Sequence, residues 1–75
     1  TAVYPRRIMA ALLRCGAAHA VLCHNHPQGS ARPSRADRDL TEAIARTLKD
    51  VSISLTDHII VGNGETFSFK QQRLL

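Results

Sequence analysis

Apolar and polar positions along this chain alternate between two periods. Ile8, Met9, Leu12 and Leu13 follow Pro5 at intervals of three and four, the spacing of one face of an α-helix. Pro5 suits a first helical turn, where its missing N–H costs nothing. Gly16, just after Arg14, is a natural stop. A helix is therefore predicted over 5–15. Residues 18–23, Ala-His-Ala-Val-Leu-Cys, read as a short apolar strand. Asn25, Pro27, Gly29, Ser30 and Pro33 then mark a turn-rich loop over 25–33. A second helix opens at Ser34-Arg-Ala-Asp37, with Leu40, Ile44, Leu48 and Val51 as the apolar stripe that packs on a sheet. Glu42 and Arg46 form an i,i+4 pair on its outer face, worth a few tenths of a kcal/mol.

The remainder has strand character. Residues 51–55 alternate apolar with serine, and 58–61 form a second apolar run. Gly62-Asn63-Gly64-Glu65 reads as a hairpin turn, and 66–69 return as a third strand. The order α-β-α-β-β-β implies an α/β protein of the α+β kind, a mixed sheet with flanking helices. No repeat or low-complexity tract interrupts it. The 75 residues amount to a single small domain or a piece of one, with a marginal core.

Composition narrows the class. An apolar fraction of 44% suits a folded protein rather than a disordered one. No apolar run approaches the roughly 20 residues that span a bilayer, and no charged start leads into an apolar signal segment. Two cysteines, Cys15 and Cys23, make no disulfide framework. They are expected to be small buried hydrophobes in a reducing cytoplasm. The net charge is +4. Up to residue 38, six arginines (Arg6, Arg7, Arg14, Arg32, Arg35 and Arg38) face a single acid, Asp37. Such a bias is either a solvated face or a surface for nucleic acid or an acidic partner. One Tyr and two Phe leave few rings for stacking bases.

The chemistry concentrates where the first strand ends, at His24-Asn-His26-Pro. Side chains at i and i+2 of an extended chain share a side, so His24 and His26 can bind one metal ion, while Cys23 and Asn25 point away. Asp37 comes eleven residues later, in the first turn of the second helix, where it can face the strand end. Two His and one carboxylate leave a fourth tetrahedral position for water, the mark of a catalytic rather than a structural zinc site. Each part also has a plainer reading: a surface histidine pair, and an S-x-x-D helix cap. Together, the strand-end His-x-His-Pro, the rigid loop and Ser34-x-x-Asp37 specify a metal site. Ser34 can serve twice, its backbone capping and its hydroxyl free.

These residues are similar to a known motif. His24-Asn-His26-Pro27, six residues, then Ser34-x-x-Asp37 resembles the JAMM motif of JAB/MPN metalloproteases. The wider chain resembles their bacterial RadC-like branch (the UPF0758 type). The resemblance is carried by Tyr-Pro-Arg-Arg at 4–7, Ala-Val-Leu-Cys-His-Asn-His-Pro-Gln-Gly at 20–29, Asp-His-Ile-Ile-Val-Gly at 57–62 and Ser-Phe at 68–69. It implies one RadC-like domain over 1–75, with the JAB/MPN, cytidine-deaminase-like architecture lacking its N-terminal strands. It implies zinc held by His24, His26 and Asp37, and Ser34 donating to the oxyanion of a tetrahedral intermediate. It also implies hydrolysis of an amide or isopeptide bond in a peptide or protein substrate. The RadC name carries an association with DNA repair.

The chain departs from that pattern in three places. The family's general base is a Glu on a strand before the first helix, whereas residues 1–23 contain no Asp or Glu. The base is encoded upstream or lost, and Glu65, in the hairpin turn, is a poor substitute. A lost strand would expose a sheet edge open to homodimerisation. Ser30 stands where RadC-like proteins usually have Asp, and Arg73 where they usually have Gly. Two further histidines need placing. His19 reads as a surface residue at a strand start. His58, after Asp57, either orients the site from behind or makes a structural hydrogen bond.

Overall fold

The computed structural model describes residues 5–27 and 29–75. Tyr4 and Gln28, both part of the resemblance, lie outside the described residues. Five elements follow in order: α1 (Pro5–Arg14), β1 (His19–His26), α2 (Arg35–Asp50), β2 (Ser54–Gly62) and β3 (Glu65–Ser68). The sheet is mixed, as expected: β1 pairs parallel with β2, and β2 antiparallel with β3. Among the described residues β1 is paired on one side only.

Both helices end by the same device. Gly16 adopts φ 70°, and Ala17 N–H donates to Leu12 O. After α2, Ser52 adopts φ 62°, and Ile53 N–H donates to Leu48 O. Each is a left-handed residue followed by a bond closing back over the last turn, which satisfies carbonyls the helix leaves open. Ile53 and Leu48 then meet in the core.

The Ser52 turn corrects one expectation. Residues 51–53 are not a strand, because the chain is still reversing off α2 there. The two runs foreseen at 51–55 and 58–61 are instead one strand, interrupted by a bulge. Ala20 pairs with Leu55 but Val21 with Asp57, leaving Thr56 as the extra residue. The bulge shifts the alternation by one, so Leu55 and then His58, Ile60 and Gly62 face inward. Val51, expected in the buried stripe, caps α2 and is exposed, and Thr41 joins Ile44 and Leu48 inside.

β1 is longer than predicted. Its ladder runs to His26, opposite Gly62, so the histidine pair lies in the strand rather than beyond it. The hairpin is as predicted: Asn63 and Gly64 both have positive φ (53° and 74°), the geometry of a type I′ turn.

Ala20, Ile44, Leu48, Ile53 and Leu55 form the main apolar cluster, against which Ile8, Met9 and Leu12 of α1 pack. A second cluster joins Ala31, Ile60 and Phe69. The other face of the sheet leaves Val21 56% exposed. Both cysteines are free and exposed, not buried as expected. Cys23 lies on the strand face opposite Ala20 and Leu22, and Cys15 sits at the open end of α1. No helix of the described residues is long and apolar enough to cross a membrane.

Candidate metal centre

β1 places His24 and His26 on its inward face, and α2 begins directly opposite them. Ser34, at φ −76° and ψ 169°, is the N-cap of α2. Its hydroxyl accepts from Asp37 N–H at 3.0 Å, and its own N–H donates to Asp37 Oδ2 at 2.8 Å. This reciprocal box is the helix-start signal read from the sequence. It has a second consequence, because it fixes the Asp37 carboxylate in one orientation, toward the histidines. The Ser34 hydroxyl is therefore engaged in the cap through one lone pair rather than free, and its O–H hydrogen remains to donate outward.

The three predicted ligands converge. His24 Nε2 and His26 Nε2 are 3.0 Å apart. Asp37 Oδ1 lies 3.6 Å from His24 Nε2, and Asp37 Oδ2 lies 3.3 Å from His26 Nε2. Two ligand atoms about 2.0–2.1 Å from one tetrahedral zinc would stand roughly 3.3 Å apart, so the donor set fits that ion closely. Among the described residues these three form the one such cluster of His, Cys, Asp or Glu, and Glu65 does not join it. The imidazoles are 34% and 25% exposed and the carboxylate 19%, so the centre is open to a solute.

Charge and hydrogen bonds prepare the donors. Burial pushes the Asp37 carboxyl upward, but the Ser34 backbone and hydroxyl bonds and the two imidazoles outweigh it and hold its pKa below the usual carboxylate value. The carboxylate is thus ionised and ready to bind a cation at neutral pH. His26 Nδ1 lies 2.9 Å from Ser30 O. A carbonyl only accepts, so Nδ1 carries a proton, and in the neutral ring the lone pair is at Nε2, on the side of His24 and Asp37. Gly62 makes that contact fit: a Cβ there would stand 2.6 Å from Gly29 O and 2.9 Å from Ser30 C.

Behind His24 lies His58, 4% exposed. Its Nε2 is 2.7 Å from His24 Nδ1, its Nδ1 is 2.6 Å from Thr41 Oγ1, and its ring stacks on Phe69 at 4.7 Å. Burial lowers its pKa, with the facing His24 adding to the effect. Of the two roles weighed for His58, the contact with His24 is the one beside the site. Asp57, its neighbour, instead accepts from the N–H groups of His58 and Lys70 and from the Ser68 hydroxyl. Thr41 was not singled out in the sequence. Its position one turn after Asp37, on the same helix face, was the available signal. His19 is exposed at the start of β1, as expected.

Beside the centre in the chain, Arg32 and Arg38 line a cavity of about 410 Å³ with Pro33, Phe67, Gln72 and Leu74.

A family described as RadC-like JAB domain matches residues 1–74. The UPF0758 protein of Shewanella frigidimarina (strain NCIMB 400) is 46% identical over 70 residues, and that of Tolumonas auensis (strain DSM 9187 / NBRC 110442 / TA 4) is 44% identical over 70. In each case the match covers 93% of this chain and 31% of the relative. The chain thus spans about a third of the length of the curated relatives it matches.

Proposed function

The chain belongs to the RadC-like JAB domain family, and from that premise we propose that it is the zinc-holding part of a JAMM-type hydrolase acting on amide or isopeptide bonds. The observation that carries this reading is the convergence of His24 Nε2, His26 Nε2 and Asp37 at distances of 3.0–3.6 Å. His24, His26 and Asp37 would hold the zinc, and with two neutral imidazoles and one carboxylate it would supply a Lewis acid of net charge about +1 able to activate water near neutral pH.

The chain's own residues supply binding and orientation. Ser34 O–H, adjoining Asp37 through the cap, donates to the carbonyl oxygen of the scissile bond as charge develops on it. Arg32 and Arg38 flank this position in the chain and line a cavity of their own, which suits an acidic or carboxylate group on the substrate. The hydrolysis also needs a group to take a proton from water and return it to the leaving amine. Residues 1–23 offer no carboxylate for this, and Glu65 stands outside the cluster. The 75-residue chain is therefore expected to bind zinc but to hydrolyse isopeptides poorly until a carboxylate base is supplied beside His24.

Metal analysis after dialysis in chelator-free, zinc-replete buffer tests the reading. One zinc per chain is expected in the wild type and close to none in the double variant His24→Ala, His26→Ala. A wild type without zinc, or a double variant that keeps it, would overturn it.

A further inference from the structure

Two polar side chains are buried among the described residues, Thr41 and His58. They touch each other, and His58 touches His24. Water is shut out from both, so each must find its hydrogen bonds within the protein. The way it does so decides which nitrogen of His24 carries a proton.

The logic starts from a group with no freedom. The Asp37 backbone carbonyl can only accept. Thr41 Oγ1 lies 2.7 Å from it and has a single hydrogen to give. If that hydrogen went to His58, two oxygens would face each other at hydrogen-bond distance with no proton between them. The hydroxyl therefore donates to the carbonyl, and its oxygen must accept at its 2.6 Å contact with His58 Nδ1. His58 is then protonated at Nδ1 and offers a lone pair at Nε2. That lone pair faces His24 Nδ1 at 2.7 Å, so His24 Nδ1 carries the proton and donates. The remaining nitrogen, His24 Nε2, then turns its lone pair toward Asp37 and toward His26 Nε2, 3.0 Å away, where without a cation a proton shared between the two Nε2 atoms takes the place of the metal. Phe69, stacked on His58 at an interplanar angle of 11°, holds the ring in the plane this chain of bonds needs.

We propose that Thr41 and His58 are positioning residues that lock His24 into its metal-binding tautomer, carrying the direction of one helix carbonyl to the metal centre. The inference rests on the zinc site proposed above and deepens it. Turning the Thr41 hydroxyl round reverses every bond: His58 Nε2–H donates to His24 Nδ1, and a proton on His24 Nε2 blocks the metal. Neither positioning residue touches the metal position itself, so both act through His24.

Two measurements on the 75-residue chain decide it. The first needs neither metal nor variant. Two-bond proton–nitrogen correlation spectra of the metal-free chain report which ring nitrogen is protonated. His24 and His58 are both expected to carry a proton on Nδ1, whatever proton His24 Nε2 shares with His26 in the absence of metal. A His24 whose Nδ1 is bare would overturn the proposal. The second is competition against a zinc-binding dye. Thr41→Val keeps the side-chain shape but removes the hydroxyl, and should weaken zinc binding about 10–100-fold, with His24 moving toward a mixture of tautomers. Thr41→Ser should restore both. Thr41→Val binding zinc within about twofold of a wild type that does bind it would also overturn the proposal. A wild type that binds no zinc would count against the proposed function alone, and the tautomer spectra would still decide the lock. The same spectra decide it if Thr41→Val does not fold.

Discussion

The two ends of the β1–α2–β2 unit share strands, helix and inward face, yet they are filled by opposite chemistry. At one end Ala20, Leu48, Ile44 and Leu55 close on hydrocarbon. At the other, the same face of β1 carries His24 and His26, and the same face of β2 carries His58. The first end is satisfied by exclusion of water alone. The second leaves two nitrogen lone pairs and a carboxylate pointing at one small volume, an arrangement made favourable by a cation. The Thr56 bulge separates the two ends and turns His58 rather than Asp57 inward. Stability is thus concentrated at one end and chemistry at the other, with a single backbone irregularity matching them.

That division can be broken from either side. Leu48→Ala, at a fully buried position, should cost about 2–5 kcal/mol and collapse the cooperative urea transition. A loss below about 1 kcal/mol would mean the apolar end is not the keel of the fold. Gly62→Ala probes the other end. Its Cβ would press on the backbone of Gly29 and Ser30, costing about 1–3 kcal/mol as overpacking does. It should also shift the Ser30 carbonyl that holds His26, so zinc affinity falls along with stability. Unchanged affinity in a folded Gly62→Ala chain would show that the carbonyl does not govern His26.

Asp57 belongs to neither end. It ties the bulge of β2 to Ser68 and Lys70. Burial pushes its carboxyl upward, but the Ser68 hydroxyl and the Lys70 and His58 N–H groups outweigh this and hold its pKa below the model-peptide value of 3.8. A depressed carboxylate stabilises the fold fully above its unfolded pKa, and the contribution is lost as pH falls through the folded value. Asp57→Asn should therefore cost about 1.5 kcal/mol at neutral pH and flatten the acid limb of the stability curve below pH 3.8. An unaltered limb would contradict this. The smallest effect is a gain. Arg73 is exposed at φ 57°, and Leu74 N–H closes back on Phe69 O, a turn that favours glycine. Arg73→Gly should add about 1 kcal/mol, read as a higher midpoint in thermal melts, without altering zinc binding.

Much of this was legible in the sequence, for identifiable reasons. Helix and strand periods are local, so α1, α2 and the Asn63-Gly64 turn stood out. The convergence of His24, His26 and Asp37 was legible because i,i+2 geometry in a strand and a helix cap each fix a direction without knowledge of the whole fold. The bulge was not legible. A phase slip within β2 looks, in one dimension, like two strands with a break at Thr56-Asp57. The exposure of Cys23 was hidden for a similar reason, since an apolar run does not reveal that one face of its sheet lies open. Thr41 was missed because a mid-helix threonine carries no signal until its partner on another element is known. The departure at Arg73 was visible as a residue, and the structure supplies its meaning, a left-handed turn.

The central claim is that two imidazoles and one carboxylate hold a single zinc ion. Zinc-edge X-ray absorption of the loaded chain tests it most directly. The account predicts about four light scatterers at roughly 2.0–2.1 Å, with the multiple-scattering pattern of two imidazole rings, and loss of one ring's contribution in His26→Ala. A sulfur scatterer at about 2.3 Å, drawn from Cys15 or Cys23, or a spectrum without imidazole, would contradict it.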